Sequence, residues 1–254
     1  MIDSHAHIHD HSFDEDRAEV VARARAAGIA QIVTVGCDLA DSQRALDAAR
    51  TYDTYASVGI HPHEAKDAPD DIAAAFAPFL ADPRVVAIGE TGLDYYYDHS
   101  PRYAQRRVLR AQIALARETA TPLIFHQRDA IDEFLEIMRE EWRPGMRGVI
   151  HCFTGDATQA VTFVEEFGLL LGIGGVVTFK TAQALRDAVR AVGLDPLVLE
   201  TDCPYLTPVP FRGKRNEPAF VTHAAQKVAE VLGVELGEVV ARTDDNARAL
   251  FRLP

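Results

Sequence analysis

Residues 122–126 read PLIFH, a short apolar run that stops on a histidine. Four further runs likewise end on a metal-ligand residue type: MIDSHAH at 1–7, VVAIGE at 85–90, GVIH at 148–151 and LVLETD at 197–202. Runs of this length and apolarity suit strands buried on both faces of a parallel sheet. Together they deliver His5 and His7, Glu90, His126, His151 and Asp202 to strand ends. Ligand types scattered over the same end of several strands converge only in a closed parallel barrel. On one rim, imidazoles and carboxylates can hold one or two divalent ions and activate a water molecule. The pattern therefore points to a metallohydrolase.

Outward from these runs, short apolar segments alternate with longer amphipathic ones, the signature of repeated strand–helix units. Eight strands are predicted, at Met1–His7, Ala30–Gly36, Thr54–Gly59, Val85–Gly89, Pro122–Phe125, Arg147–Ile150, Leu169–Gly172 and Leu197–Glu200. Helices are expected to start near Phe13, Leu39, Asp70, Pro101, Ala130, Asp156, Thr181 and Pro218. In the stretch from Arg102 to Glu118, Val108, Ala111, Ile113 and Leu115 fall on or near one face. One or two closing helices are expected from Glu235 to Leu253, docked on the barrel by Asn246 and Phe251. The class is α/β, a (β/α)8 TIM-type barrel formed by residues 1–254 as a single domain, the size such barrels have.

Composition narrows the function. Hydrophobic residues make up 48% and charged residues 25%, ordinary for a globular protein. No apolar stretch approaches the roughly 20 residues of a membrane span, and the start lacks the features of a secretory signal. A cytoplasmic enzyme with no membrane association and no obligate protein partner is the default expectation. Cys37, Cys152 and Cys203 are too few and too dispersed for a disulfide framework or a CxxC metal site. The net charge of -12 argues against broad electrostatic capture of nucleic acid. It leaves room for a local basic loop, PVPFRGKRNEP at 208–218, where Arg212, Lys214 and Arg215 cluster.

His5 and His7, two apart in a strand, face one side and can grip one ion. Glu90 has two oxygens and can bridge two ions about 3.5–4 Å apart. No lysine stands at the end of strand four or five to do so instead. His126 and His151 complete the imidazole set. Asp202 could bind one ion while accepting a proton from the attacking water, or could cap the following turn. His61 and His63 could contact a substrate phosphate or form a rigid polar loop. Arg128 could pair with phosphate or with Asp129. Asp94 is expected to orient a loop or a ligand, and Glu200 to support the site. Tyr95, Tyr96 and Tyr97 could stack on a base, although packing is expected for at least two of them. His9 and His11 read as residues of the opening turn.

Longer motifs carry a resemblance: DSHAH at 3–7, GIHPH at 59–63, IGETGLDYYYD at 88–98, HQRDA at 126–130, HCFTG at 151–155 and ETDCPYLTP at 200–208. With RGKRNEP and NARALF further on, the chain closely resembles the TatD family of metal-dependent deoxyribonucleases, amidohydrolase-like barrels, from Asp3 to Phe251. The resemblance implies hydrolysis of DNA phosphodiester bonds by metal-activated water, often as a 3′ to 5′ exonuclease, on a single strand or a 3′ end. It assigns metal binding to His5, His7, Glu90, His126, His151 and Asp202. Glu90 and Asp202 are the catalytic candidates, and His61, Arg128, Arg212 and Arg215 the substrate contacts. Small departures, Cys203 where the family often has alanine and Gln127 where a small polar residue is common, remove no ligand. Two divalent ions are expected: zinc or manganese at a tight site, because imidazole suits transition metals, and magnesium at a weaker one. The same barrel could instead hydrolyse a cyclic amide, an ester or another C–N bond, or bind metal without catalysis.

Overall fold

The computed structural model describes residues Met1–Pro254. Eight strands form one parallel sheet in the order of the chain: β1 (Ile2–Ala6), β2 (Gln31–Val35), β3 (Tyr55–Val58), β4 (Val85–Asp94), β5 (Leu123–Arg128), β6 (Gly148–Ile150), β7 (Leu170–Ile173) and β8 (Leu197–Leu199). Helices alternate with them: α1 (Arg17–Ala26), α2 (Leu39–Tyr52), α3 (Ile72–Leu80), α4 (Arg102–Thr119), α5 (Ile131–Glu141), α6 (Ala157–Phe167), α7 (Gln183–Val192) and α8 (Val221–Leu232). One closing helix follows, α9 (Leu236–Phe251). Each strand lies beside the next one in sequence, and the sheet curls into a nearly closed barrel. No helix is long and apolar enough to cross a membrane.

The local sequence accounts for the helix boundaries. Asp38 and Asp156 cap α2 and α6 by accepting from the N–H groups of Asp41 and Gln159, and Gly168 ends α6 in the left-handed conformation. In α4 the buried face runs through Val108, Leu109, Gln112, Ile113 and Ala116, with Leu115 at its margin and Ala111 only partly buried. It therefore includes a glutamine that an apolar stripe does not reveal. Gln112 ties α4 to the barrel rim through the N–H and C=O of Ile60 and the hydroxyl of Thr91.

Two apolar layers are separated by the barrel wall. Ile2, Val33, Val35, Ala87, Ile124, Val149 and Val198 fill the interior, and Ala247, Leu250, Phe251 and Leu253 close it. The closing helix sits under the N-terminal ends of the strands. Asn246 donates to the carbonyls of Asp195 and Leu197, and Asp244 accepts from the N–H of Ile2. With the lower half filled in this way, any polar site lies at the other end.

Two strands break their alternation beside the polar end. In β1, Ile2 belongs to the inner layer and Ala6 to the outer one, although a regular strand puts both on one face. A register shift between Asp3 and Ala6 makes the switch and turns His5 inward. In β4, Ile88 faces the outer layer, so regular alternation would send Glu90 there too. The shift between Ile88 and Thr91 reverses the faces, leaving Thr91 and Leu93 outside and Glu90 inside.

The seam between β8 and β1 is closed by a buried carboxyl. Asp3 accepts from the N–H and the hydroxyl of Thr201 at 2.9 and 2.6 Å. Just above, the N–H of Asp202 donates to His5 and that of His7 to Cys203. Burial pushes the Asp3 carboxyl up to about 8, against the lowering effect of the Thr201 bonds. Asp3→Ala strands the Thr201 donors in the interior and should lower stability by about 1–3 kcal/mol. Urea unfolding followed through Trp142, the single tryptophan, measures it; an unchanged midpoint would show that the seam holds without Asp3.

Candidate metal centre

Glu90 occupies the middle of the polar end. Its Oε1 lies 2.8 Å from His126 Nδ1, 2.8 Å from His151 Nε2 and 3.4 Å from His61 Nε2. Its other oxygen, Oε2, lies 3.3 Å from His5 Nε2. Asp202 approaches from the seam, with Oδ1 3.4 Å from His7 Nε2 and 3.7 Å from His5 Nε2. All six residues expected to be ligands are thus brought together. They fall into overlapping groups, His5–His7–Glu90 and His5–His151–Asp202, with a third, His61–Glu90–His126.

The donor set fits divalent cations. His7 Nδ1 lies 2.8 Å from the Val35 carbonyl, so that nitrogen carries the proton and Nε2 presents a lone pair. That lone pair faces His5 Nε2 at 3.3 Å. Two imidazole nitrogens and two carboxylate oxygens aimed at one small volume repel one another unless positive charge lies between them. The buried Nδ1 atoms of His5 and His151 have no hydrogen-bond partner. Within the chain alone, the positive charge has to come from protons. Burial opposes the ionised Glu90 carboxyl, but His151, His61 and His126 outweigh it and hold the group well below the usual carboxylate range. Burial likewise disfavours a charged His151, yet Glu90 and Glu200 raise it well above the usual imidazole range. For His61 burial prevails and lowers the ring to about 4.

A surrounding layer holds these side chains. Asp94 Oδ2 lies 3.0 Å from Nε2 of both His126 and His63, and its Oδ1 accepts from the N–H groups of Tyr96 and Tyr97. Glu200 sits under His151, with Oε1 3.7 Å from Nδ1 and accepting from the N–H of Cys152. It fits because position 172 is glycine: a Cβ there would come within 2.2 Å of Glu200 Oε2. Gly92, at φ +155°, has no room either, since a Cβ would meet the His126 carbonyl oxygen at 1.8 Å. His9 is more than a turn residue. It is buried between the Thr34 hydroxyl and Asp41 at 2.8 and 3.0 Å, whereas His11 is exposed.

The expected substrate contacts separate. His61 lies inside the cluster, not at its margin; sequence reasoning missed it as a ligand candidate, although GIHPH places a histidine just past β3. Arg128 makes no ion pair with Asp129 and lies over the rings of Tyr96 and Tyr97. The expectation that at least two of the three tyrosines are packed in the interior does not hold, since Tyr96 and Tyr97 are exposed. Tyr95 is partly buried, held by Glu133 and Arg102, while the rings of Tyr96 and Tyr97 are exposed. In the basic loop, Arg212 is exposed, over Phe179, with one bond to the Thr207 carbonyl. Arg215 is turned toward the segment that precedes α1, bonded to Asp16 and the Ser12 carbonyl and lying over Phe13. The loop is further tied by Asn216, which donates to Thr201 and Tyr205 carbonyls, and by Glu217, which accepts from Arg23.

The family model described as TatD related DNase matches residues 2–252. An uncharacterized metal-dependent hydrolase, YabD of Bacillus subtilis, is 42% identical, covering 100% of this chain and 99% of its own. A 3′-5′ ssDNA/RNA exonuclease TatD of Erwinia tasmaniensis is 37% identical, with 100% of both chains covered. Among solved structures, the Escherichia coli TatD homologue YjjV superposes with a TM-score of 0.93 at 29% identity, over 100% of this chain and 98% of that one. The chain belongs to the TatD-related DNase family and is a metal-dependent hydrolase.

Proposed function

We propose that the protein hydrolyses phosphodiester bonds of DNA, at the end of a single strand and in the 3′ to 5′ direction. One observation carries the reading: Glu90 presents its two oxygens to different imidazole groups, Oε1 to His61, His126 and His151 and Oε2 to His5. A carboxylate shared in this way suits two neighbouring cations, the arrangement that in-line displacement at phosphorus favours. Relatives at 37% and 38% identity that bear the name 3′-5′ ssDNA/RNA exonuclease support the substrate and direction. The unpaired guanidinium of Arg128 and the exposed Arg212 support phosphate over an uncharged amide.

His5, His7 and Asp202 would hold one ion, and His126 and His151 a second, with Glu90 shared between them. Bound divalent cations would supply charge to neutralise the phosphate oxygens and lower the pKa of water. The remaining work belongs to the chain. Asp202 takes the proton of the attacking water, because its carboxylate accepts no backbone N–H and is held beside His5 and His7. Asp94 keeps the His126 ring oriented, Glu200 lies beside His151 as a negative charge, and the Val35 carbonyl keeps the His7 tautomer. Arg128 and Arg212 flank the strand. Arg215 contributes by bracing the basic loop against the segment that precedes α1.

Zinc or manganese is the expected occupant of the imidazole-rich site, with magnesium at a weaker one. Metal-stripped protein should leave end-labelled DNA intact, and restoring zinc, manganese or magnesium separately should produce a ladder shortening from the 3′ end. An amide substrate serves as control; cleavage of the amide with intact DNA would sink the phosphodiester reading. Asp202→Asn should lower turnover about 10²- to 10⁴-fold while elemental analysis shows most of the metal retained. Near-normal hydrolysis by that variant would remove Asp202 as the proton acceptor.

A further inference from the structure

Tyr96 and Tyr97 are 58% and 50% exposed, two of the four exposed tyrosines of the chain. Their placement is not that of a loose loop. A single carboxylate, Asp94, binds both peptide N–H groups through Oδ1, at 3.0 and 2.9 Å, while Oδ2 contacts His126 and His63. The same group thus sets the rings and a metal-centre imidazole relative to each other. Arg128 lies over both rings, 4.0 Å from the centroid of Tyr96 and 4.8 Å from that of Tyr97. His99 stacks on Tyr97 at 5.4 Å with 11° between planes, and His63 meets Tyr97 edge-on at 5.5 Å. The result is a braced, cation-bearing aromatic ledge two ring contacts from His126, through Tyr97–His63 and His63–His126.

Tyr95 is held by its hydroxyl, whereas its neighbours are held by ring contacts that leave half or more of each residue exposed. The Tyr95 hydroxyl is bonded to Glu133 and Arg102 covers its ring, whereas Tyr96 and Tyr97 take part in hydrogen bonding only through their peptide N–H groups. We infer that Tyr96 and Tyr97, wedged by Arg128, form a stacking site for an unpaired nucleobase next to the scissile diester. This rests on the phosphodiesterase reading and adds to it the means by which a single strand is selected. An aromatic face binds any base whose own face is free, whatever its identity. A base inside a duplex has both faces covered and must first leave the stack. Arg128 adds local positive charge in a chain of net charge -12.

The test compares metal-loaded wild type with Tyr96→Leu, Tyr97→Leu, Tyr96→Phe and Tyr97→Phe. The substrates are oligothymidylate and the same oligomer carrying abasic residues at its reactive end. Wild type should lose about 5- to 150-fold in kcat/KM on the abasic oligomer, the equivalent of ~1–3 kcal/mol per stacked base. The leucine variants should lose a similar factor on oligothymidylate and discriminate less between the two substrates. The phenylalanine variants, which keep the ring, should behave as wild type. Equal rates of wild type on both oligomers, or full DNA activity in the leucine variants, would overturn the stacking site and leave the nuclease reading standing. If leucine disturbs the loop, the phenylalanine pair decides, since loss of discrimination with the rings present counts against stacking. No hydrolysis of either oligomer by wild type would instead overturn the phosphodiesterase reading.

Discussion

The carboxylate of Glu90 is buried in contact with imidazoles from four places along the chain: His5 on β1, His61 after β3, His126 on β5 and His151 after β6. A buried charge is tolerated only where opposite charge and hydrogen bonds surround it. That requirement orders much of the rest. The strand ends have to close around one point, the lower barrel has to be filled by aliphatic side chains and α9, and the polar groups have to share one end. The register shift in β4 is the local device that brings the carboxylate inward.

Asp202 depends on a second closure. A barrel of eight short parallel strands needs its last strand held to its first, and here the join runs through Asp3 and Thr201 and the backbone pairs above them. The same join sets Asp202 against His5 and His7. Closure and chemistry therefore share residues, and β1 serves both by placing Asp3 and His5 two positions apart.

Much of the fold was legible because strands buried on both faces read as unbroken apolar runs between amphipathic helices. The predicted strands coincide with the observed ones to within a few residues, apart from β4 and β5, which continue past Glu90 and His126 to Asp94 and Arg128. Harder to read were effects that period and composition do not encode. Alternation alone would place Glu90 on the outer face, since a register shift leaves no mark in a hydrophobic pattern. Arg215 and Arg212 look alike in RGKRNEP, yet one meets Asp16 nearly two hundred positions away, a contact that no local pattern discloses. Tyr96 and Tyr97 resemble core rings by type; their exposure follows from Asp94 gripping the backbone and leaving the side chains outside. His61 sits in the cluster because the turn after β3 points it toward Glu90, which spacing does not specify.

The connection from β8 to α8 carries no helix or strand before Glu217, and a stretch of that kind is ordinarily free to swing. Here Asn216, Arg215 and Glu217 fasten it to Thr201, Tyr205, Asp16 and Arg23. It forms a fastened wall beside the candidate metal centre, where Tyr205 meets His7 edge-on. A wall already in place loses little conformational entropy when a ligand arrives. The ordering cost then falls on the ligand, so recognition at this rim depends on how readily the incoming chain can bend.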